Sequence, residues 1–284
     1  MNKKILITGA DGQLGRSFKN IQNNNQWAGF LFLNRHDLDI SIKEDIEKVV
    51  KELKPDFFIN CAAYTAVDKA ESEKDKAFLI NDKAVKNIAE VCSDNKISLI
   101  HYSTDFVFNG ESGQAYLEND KTNPINVYGK SKLAGEHSIR NKEKLNYLII
   151  RTSWVYAEHG NNFVKTMLRL FDSKEELGVV NDQVGAPTYA EDIAECTLSL
   201  IEKDMINDQV LHFSNKGKIS WYDFACEIKN LTSSNIKINS ITTNDYPTPA
   251  KRPKFSVMDL SRSIGLGINI KEWKESLRDC INKI

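Results

Sequence analysis

Residues 4–15 read Lys4-Ile5-Leu6-Ile7-Thr8-Gly9-Ala10-Asp11-Gly12-Gln13-Leu14-Gly15. The unbroken apolar run Ile5-Leu6-Ile7 is what a strand buried on both faces requires. The glycines that follow let the chain turn tightly and bring its backbone close to an anion. A helix opening there offers its first N–H groups unpaired. Strand, glycine turn and helix together predict the first unit of a dinucleotide-binding α/β sheet. Gly9, Gly12 and Gly15 are then the residues expected at a pyrophosphate. The spacing is G-x-x-G-x-x-G and not G-x-G-x-x-G. Its weight comes from its place at the first strand-to-helix junction.

Working outward, the same alternation repeats. Strands are expected at Phe30–Leu33, Phe57–Asn60, Ser98–Ser103 and Tyr147–Arg151. Helices are expected at about Gln13–Ile21, Ser41–Leu53, Lys74–Asn95 and Asn126–Arg140. In the second helix Ile42, Ile46, Val49, Val50 and Leu53 form one stripe, and Ser41 with Glu44 reads as a capping box. Strands alternating with helices predict an α/β fold with a doubly wound, parallel Rossmann-type sheet. Residues 1–155 form the expected dinucleotide-binding domain, with a late strand near 209–214 returning to it. Residues 156–284 form a smaller C-terminal substrate-binding lobe, with helices at about Asn162–Phe171, Glu191–Glu202, Trp221–Leu231 and Ile270–Ile284. Thr243–Phe255 holds Pro247, Pro249 and Pro253, so it is neither regular helix nor central strand.

Composition narrows the partners. The 284 residues carry 38 basic and 39 acidic side chains, a balance that gives no electrostatic argument for nucleic acid or membrane. After Met1-Asn2-Lys3-Lys4 the apolar run is too short for a signal peptide, and no stretch approaches the roughly 20 apolar residues of a membrane span. Five scattered cysteines without a C-x-x-C pair favour reduced thiols in a cytoplasm over zinc or disulfides. His36, His137, His159 and His212 show no metal-ligand spacing, and His101, in an apolar strand, reads as a core residue.

The chemistry-bearing pattern is Tyr128-Gly129-Lys130-Ser131-Lys132. Tyr128 and Lys132 lie four apart and share a helix face. A nearby ammonium favours a phenolate, so Tyr128 can give a proton to a developing alkoxide. Thr104 stands at the carboxyl end of the fourth strand, where doubly wound sheets place ligands, and its hydroxyl can bond a substrate oxygen. On the second strand an acidic residue would favour NADH. The chain has Asn34-Arg35, and Arg35 suits the 2′-phosphate of NADPH. Asp37 and Asp39 follow closely, so both cofactors stay open.

These segments resemble the extended short-chain dehydrogenase/reductase family, and within it the dTDP-4-dehydrorhamnose reductase group. Beyond the glycine turn, the resemblance is carried by Asn60-Cys61-Ala62-Ala63-Tyr64-Thr65-Ala66-Val67-Asp68-Lys69-Ala70-Glu71 and His101-Tyr102-Ser103-Thr104-Asp105-Phe106-Val107-Phe108. Pro124–Lys132, Arg151–Tyr156, Asp182–Thr188 and Arg252–Ser256 add to it. It implies NADPH- or NADH-dependent reduction of the 4-keto group of dTDP-4-dehydro-L-rhamnose, in dTDP-rhamnose and polysaccharide biosynthesis. Thr104, Tyr128 and Lys132 would be catalytic. Gly12, Gln13 and Leu14 would bind the cofactor pyrophosphate, and Asp39, Ile40, Ala62, Ala63, Tyr64, Thr65 and Tyr102 would line the dinucleotide, with Tyr128 and Lys132 at its nicotinamide end. Asp105, Trp154 and Arg252 would join Thr104 in touching the substrate. The reading at Trp154 stays open between sugar contact and core aromatic, and that at Val67 and Asp68 between loop packing and substrate contact.

Related 4,6-dehydratases carry Thr-Asp-Glu where this chain has Thr104-Asp105-Phe106, which disfavours dehydration. Some family members bridge subunits with magnesium through acids near the first helix. Gly15-Arg16-Ser17 has none, so no metal site is expected, while a homodimer stays open. Two other readings use the same scaffold. One is a 4-ketoreductase for another nucleotide-deoxysugar. The other is a non-catalytic NAD(P)-binding regulatory subunit, which the complete Thr104–Tyr128–Lys132 set disfavours.

Overall fold

The computed structural model describes residues 3–284; Met1 and Asn2 lie outside the described residues. The central sheet is built from β1 (Lys3–Thr8), β2 (Ala28–Leu33), β3 (Phe57–Asn60), β4 (Ser98–Thr104) and β5 (Tyr147–Thr152). A sixth strand comes late in the chain, at Gln209–His212. The order runs from that late strand through β5, β4, β3 and β1 to β2, and every pairing is parallel. Strand order reverses between β1 and β3, so a crevice opens beyond their carboxyl ends. The glycine turn follows β1 there, and Cys61-Ala62-Ala63 follows β3.

Period-two alternation divides the strands between two cores. Ile5 and Ile7 of β1 join one cluster, with Phe18 of α1 (Gln13–Ile21) and the helix Ala190–Glu202. Leu6 joins the other, with α2 (Lys43–Leu53) and the helix Ala84–Asp94. Both faces of the sheet are thereby covered, as a parallel sheet needs.

Between β3 and β4 lie α3 (Val67–Ala70), α4 (Lys74–Phe78) and α5 (Ala84–Asp94), followed after β4 by α6 (Val127–Arg140). The single helix expected over Lys74–Asn95 is interrupted by a π turn at Leu79–Lys83. The expected capping box at Ser41 is absent as well. Helix α2 starts after Ile42, and the Ser41 hydroxyl donates instead to Asp39 at 2.7 Å, because the nearer carboxylate wins the competition.

The second half holds β6 (Val155–Tyr156), α7 (Phe163–Ser173), β7 (Glu176–Val180), β8 (Val184–Gly185), β9 (Thr188–Tyr189) and α8 (Ala190–Glu202). The late strand β10 (Gln209–His212), β11 (Ile219–Ser220), α9 (Trp221–Leu231), β12 (Lys237–Ile241), α10 (Ser261–Gly265) and α11 (Trp273–Ile281) complete it. Helix α8 packs with α1 on the sheet, whereas Tyr156, Val164, Phe224 and Leu277 build a separate core of their own. The parallel pair β7–β12 was not expected from the sequence, and the last helix begins at Trp273, not at Ile270.

Candidate active site

The glycine turn is packed too tightly for side chains. Gly9 has φ +67°, and a Cβ there would lie 2.7 Å from the Ala62 nitrogen. A Cβ on Gly15 would collide with the Gly9 carbonyl. Gly12 caps α1 without any side-chain hydrogen bond, so the first N–H groups of the helix face outward unpaired. Leu14 packs under the turn against the core. The Gln13 side chain turns toward the second half of the chain, where its Oε1 accepts from Asn162 at 2.8 Å.

A cleft of about 310 Å³ opens beside this turn. Gly9, Gly12, Arg35, Asp39, Ile40, Ala62, Ala63 and Tyr64 all line it, as the sequence led one to expect. Two hydrogen bonds from Ser41, side chain and backbone, hold the Asp39 carboxyl below its usual range, so it is ionised. Arg35 is exposed at the rim. Thr65 is exposed beyond Tyr64. Tyr102 is placed otherwise: its ring lies in the core and its hydroxyl meets Thr197 at 2.9 Å. Its contribution to the site is its backbone carbonyl. A bare helix N-terminus, a turn that excludes side chains, and a cationic rim fit the pyrophosphate and adenosine of a dinucleotide.

The reacting end lies at the carboxyl end of β4. Asn126 caps the start of α6: its side chain accepts from Gly129 N–H at 2.7 Å and donates to the Lys251 carbonyl at 2.8 Å. A Cβ on Gly129 would strike the Phe106 carbonyl, so glycine lets α6 sit against the loop after β4. This close seating puts Tyr128 beside Thr104 and Phe106, whose ring meets the phenol edge-on at 5.9 Å. Thr104 Oγ1 donates to Asp105 Oδ1 at 3.0 Å and accepts from Phe106 N–H at 3.1 Å.

The electrostatics differ from the expectation that Lys132 lowers the Tyr128 pKa. Burial pushes the phenol up to about 12, over the opposing hydrogen bond of Thr104. The Lys132 amine donates instead to the Tyr102 carbonyl at 2.6 Å. Burial also pushes Lys132 down to about 8, with Glu136 opposing. In this state Tyr128 holds its proton, as a general acid must.

The expected substrate residues are arranged unevenly. Asp105 is buried beside Thr104. Burial pushes its carboxyl up to about 6, and Oδ2 has no hydrogen-bond partner of ordinary geometry. Trp154, at φ +48°, stacks on Trp221 with ring centroids 3.6 Å apart. Arg252 forms a two-pronged pair with Asp68, at 3.0 and 2.8 Å, and also bonds Thr248 and Ala250. That pair ties α3 to the proline-rich loop and occupies the Arg252 guanidinium.

With this geometry in place, comparison with known proteins is decisive. A family model described as the RmlD substrate binding domain matches residues 3–284. The dTDP-4-dehydrorhamnose reductase of Escherichia coli K12 is 41% identical over 99% of this chain and 97% of its own length. The chain belongs to the dTDP-4-dehydrorhamnose reductase family. A solved family member from Clostridium acetobutylicum is 43% identical with a TM-score of 0.93, covering 98% of each chain. Another, from Bacillus anthracis and in complex with NADP, is 36% identical with a TM-score of 0.95 over the whole of both chains.

Three residues of this reductase-family chain escaped the sequence reading. Asn81, buried on the π turn, accepts from Tyr64 N–H at 2.9 Å and donates to Ser131 at 3.0 Å, fixing the cleft wall to α6. Such turns recur at functional sites, but an interior asparagine leaves no readable pattern. Glu136, four residues after Lys132, pairs with Arg151 in the core. His101, read as a core residue, is buried and also reaches Lys132.

Proposed function

We propose that this chain reduces the C4 ketone of dTDP-4-dehydro-L-rhamnose to the hydroxyl of dTDP-L-rhamnose. The observation carrying this reading is the gathering of Thr104, Tyr128 and Lys132 around the end of β4, in a chain that matches reductases end to end. Gly12, Leu14, Ala62 and Tyr64 would hold NADPH or NADH, with Arg35 at a 2′-phosphate. When bound, that cofactor supplies the hydride.

With substrate in place the Thr104 hydroxyl turns its proton from Asp105 to the substrate oxygen and so orients the ketone. Tyr128, protonated at neutral pH, delivers its proton to that oxygen as charge develops. Lys132, moving from the Tyr102 carbonyl, offsets the phenolate left behind. Asp105 and Trp154 border the sugar, while Arg252 must leave Asp68 before it can meet a phosphate. No helix among the described residues is long and apolar enough to cross a membrane. The unpaired thiols support a cytoplasmic site for dTDP-rhamnose synthesis, and light scattering would test for a homodimer.

The test follows cofactor absorbance with dTDP-4-dehydro-L-rhamnose. The native chain should oxidise the cofactor, and Tyr128→Phe should lose on the order of 10²-fold or more of the rate while still binding it. Cofactor binding without turnover by the native chain would refute the reading.

A further inference from the structure

A buried polar chain runs beneath the site. Asn60 Oδ1 accepts from the Thr8 hydroxyl at 2.8 Å and from Ala62 N–H at 3.2 Å. A backbone N–H can only donate, so this contact fixes the orientation of the Asn60 amide. Asn60 Nδ2 therefore faces His101 Nδ1, at 3.2 Å. An amide NH₂ is a donor, so Nδ1 must accept, and the ring carries its proton on Nε2. Nε2 in turn faces Lys132 Nζ at 3.4 Å.

We propose that His101, locked by Asn60 with its proton on Nε2, is a positioning residue that opposes the Lys132 ammonium and so governs when the lysine holds its charge. An Nε2–H aimed at Nζ favours the neutral amine, which can accept it. To welcome the ammonium, the imidazole must move its proton to Nδ1 and Asn60 must flip. That flip would leave Ala62 N–H facing a donor, at a residue that lines the cofactor cleft. The other groups around Lys132 are the Tyr102 carbonyl, Tyr128 one turn back on α6, and Glu136 one turn on. Only Glu136 is anionic, and Arg151 holds it in a pair of its own. Burial and the Lys132 charge keep His101 itself well below the ordinary histidine range, so it is neutral throughout.

This inference deepens the proposed reduction, and one arm of its test does not depend on that activity. Nitrogen NMR of the imidazole in the cofactor-free chain should find the His101 proton on Nε2; a proton on Nδ1 would overturn the proposal. The second arm is the pH profile of kcat/KM for reduction. Its alkaline limb, where Lys132 loses its proton, should move up by about one pH unit in His101→Gln, whose amide oxygen can accept from the ammonium. Asn60→Asp, a near-isosteric change that accepts from Nδ1–H, should move it the same way. Limbs that stay in place in both folded variants would refute the positioning role. A native chain inactive on the sugar nucleotide, yet with the Nε2 proton in place, would sink the reductase reading and leave the tautomer assignment standing.

Discussion

Removing the Glu136 carboxylate from α6 should destabilise the fold strongly. Glu136 and Arg151 are 0% and 1% exposed. Arg151 grips the carboxylate with two N–H groups, at 2.9 and 2.7 Å, and Ser103 donates to the same carboxylate. Glu136→Ala leaves a guanidinium buried with only the Glu118 carbonyl, at 3.1 Å, to bond. An uncompensated buried charge of this kind costs about 3–5 kcal/mol. In a chain of this size that is a fall in melting temperature of roughly 5–15 °C. Replacing both partners together, as Glu136→Leu with Arg151→Met, should cost much less, because no charge is then stranded. Urea unfolding of the two single variants and the double variant separates these terms. A single-variant loss below about 1 kcal/mol would show that water or rearrangement relieves the charge, and the reasoning would fail.

Four further outcomes follow from the geometry. Gly15→Ala should lower stability by about 1–3 kcal/mol and abolish cofactor binding, measured by unfolding and by cofactor titration, since its methyl meets the Gly9 carbonyl. Arg35→Ala should weaken NADPH by roughly 10–100-fold and leave NADH nearly untouched; equal losses for both would remove Arg35 from the 2′-phosphate. Asp105, raised from 3.8 to about 6 by burial, binds its proton more tightly folded than unfolded, so the favourable contribution present below pH 4 is lost as pH rises through 6. Asp105→Asn should therefore gain on the native chain across that window, by at most about 3 kcal/mol, in urea titrations at successive pH values. Asp68→Asn should loosen the Arg252 loop and raise its proteolytic cleavage while leaving cofactor affinity unchanged.

The first half of the molecule was legible because its strands are buried on both faces. Ile5-Leu6-Ile7 and Phe57-Phe58-Ile59 have nowhere to sit but inside a parallel sheet, and the turn between strand and helix is written in glycines. The second half was harder for an equally physical reason. Glu176–Val180 and Lys237–Ile241 mix charged, polar and apolar residues, pair only with each other, and stand far apart in the chain, so neither carries a periodic signal. Among site residues, Thr104, Tyr128 and Lys132 stand out by spacing. Asn81, His101 and Glu136 act through partners on other elements, and a sequence read locally shows only the side chains and not whom they meet. The same limit hid the partner of Arg252, because Asp68 is distant in sequence and adjacent only in the folded chain.

The stacked rings of Trp154 and Trp221 have an optical consequence. Two of the four indoles face each other at 3.6 Å and 11°. Transition dipoles at that separation couple, so the pair should give a split band in the ultraviolet circular dichroism that an isolated tryptophan lacks. A sugar ring that disturbs the stack would change that band directly. On the proposed sugar contact of Trp154, the stack would be a label-free reporter of substrate arrival, readable in the absence of turnover and distinct from the absorbance of the cofactor.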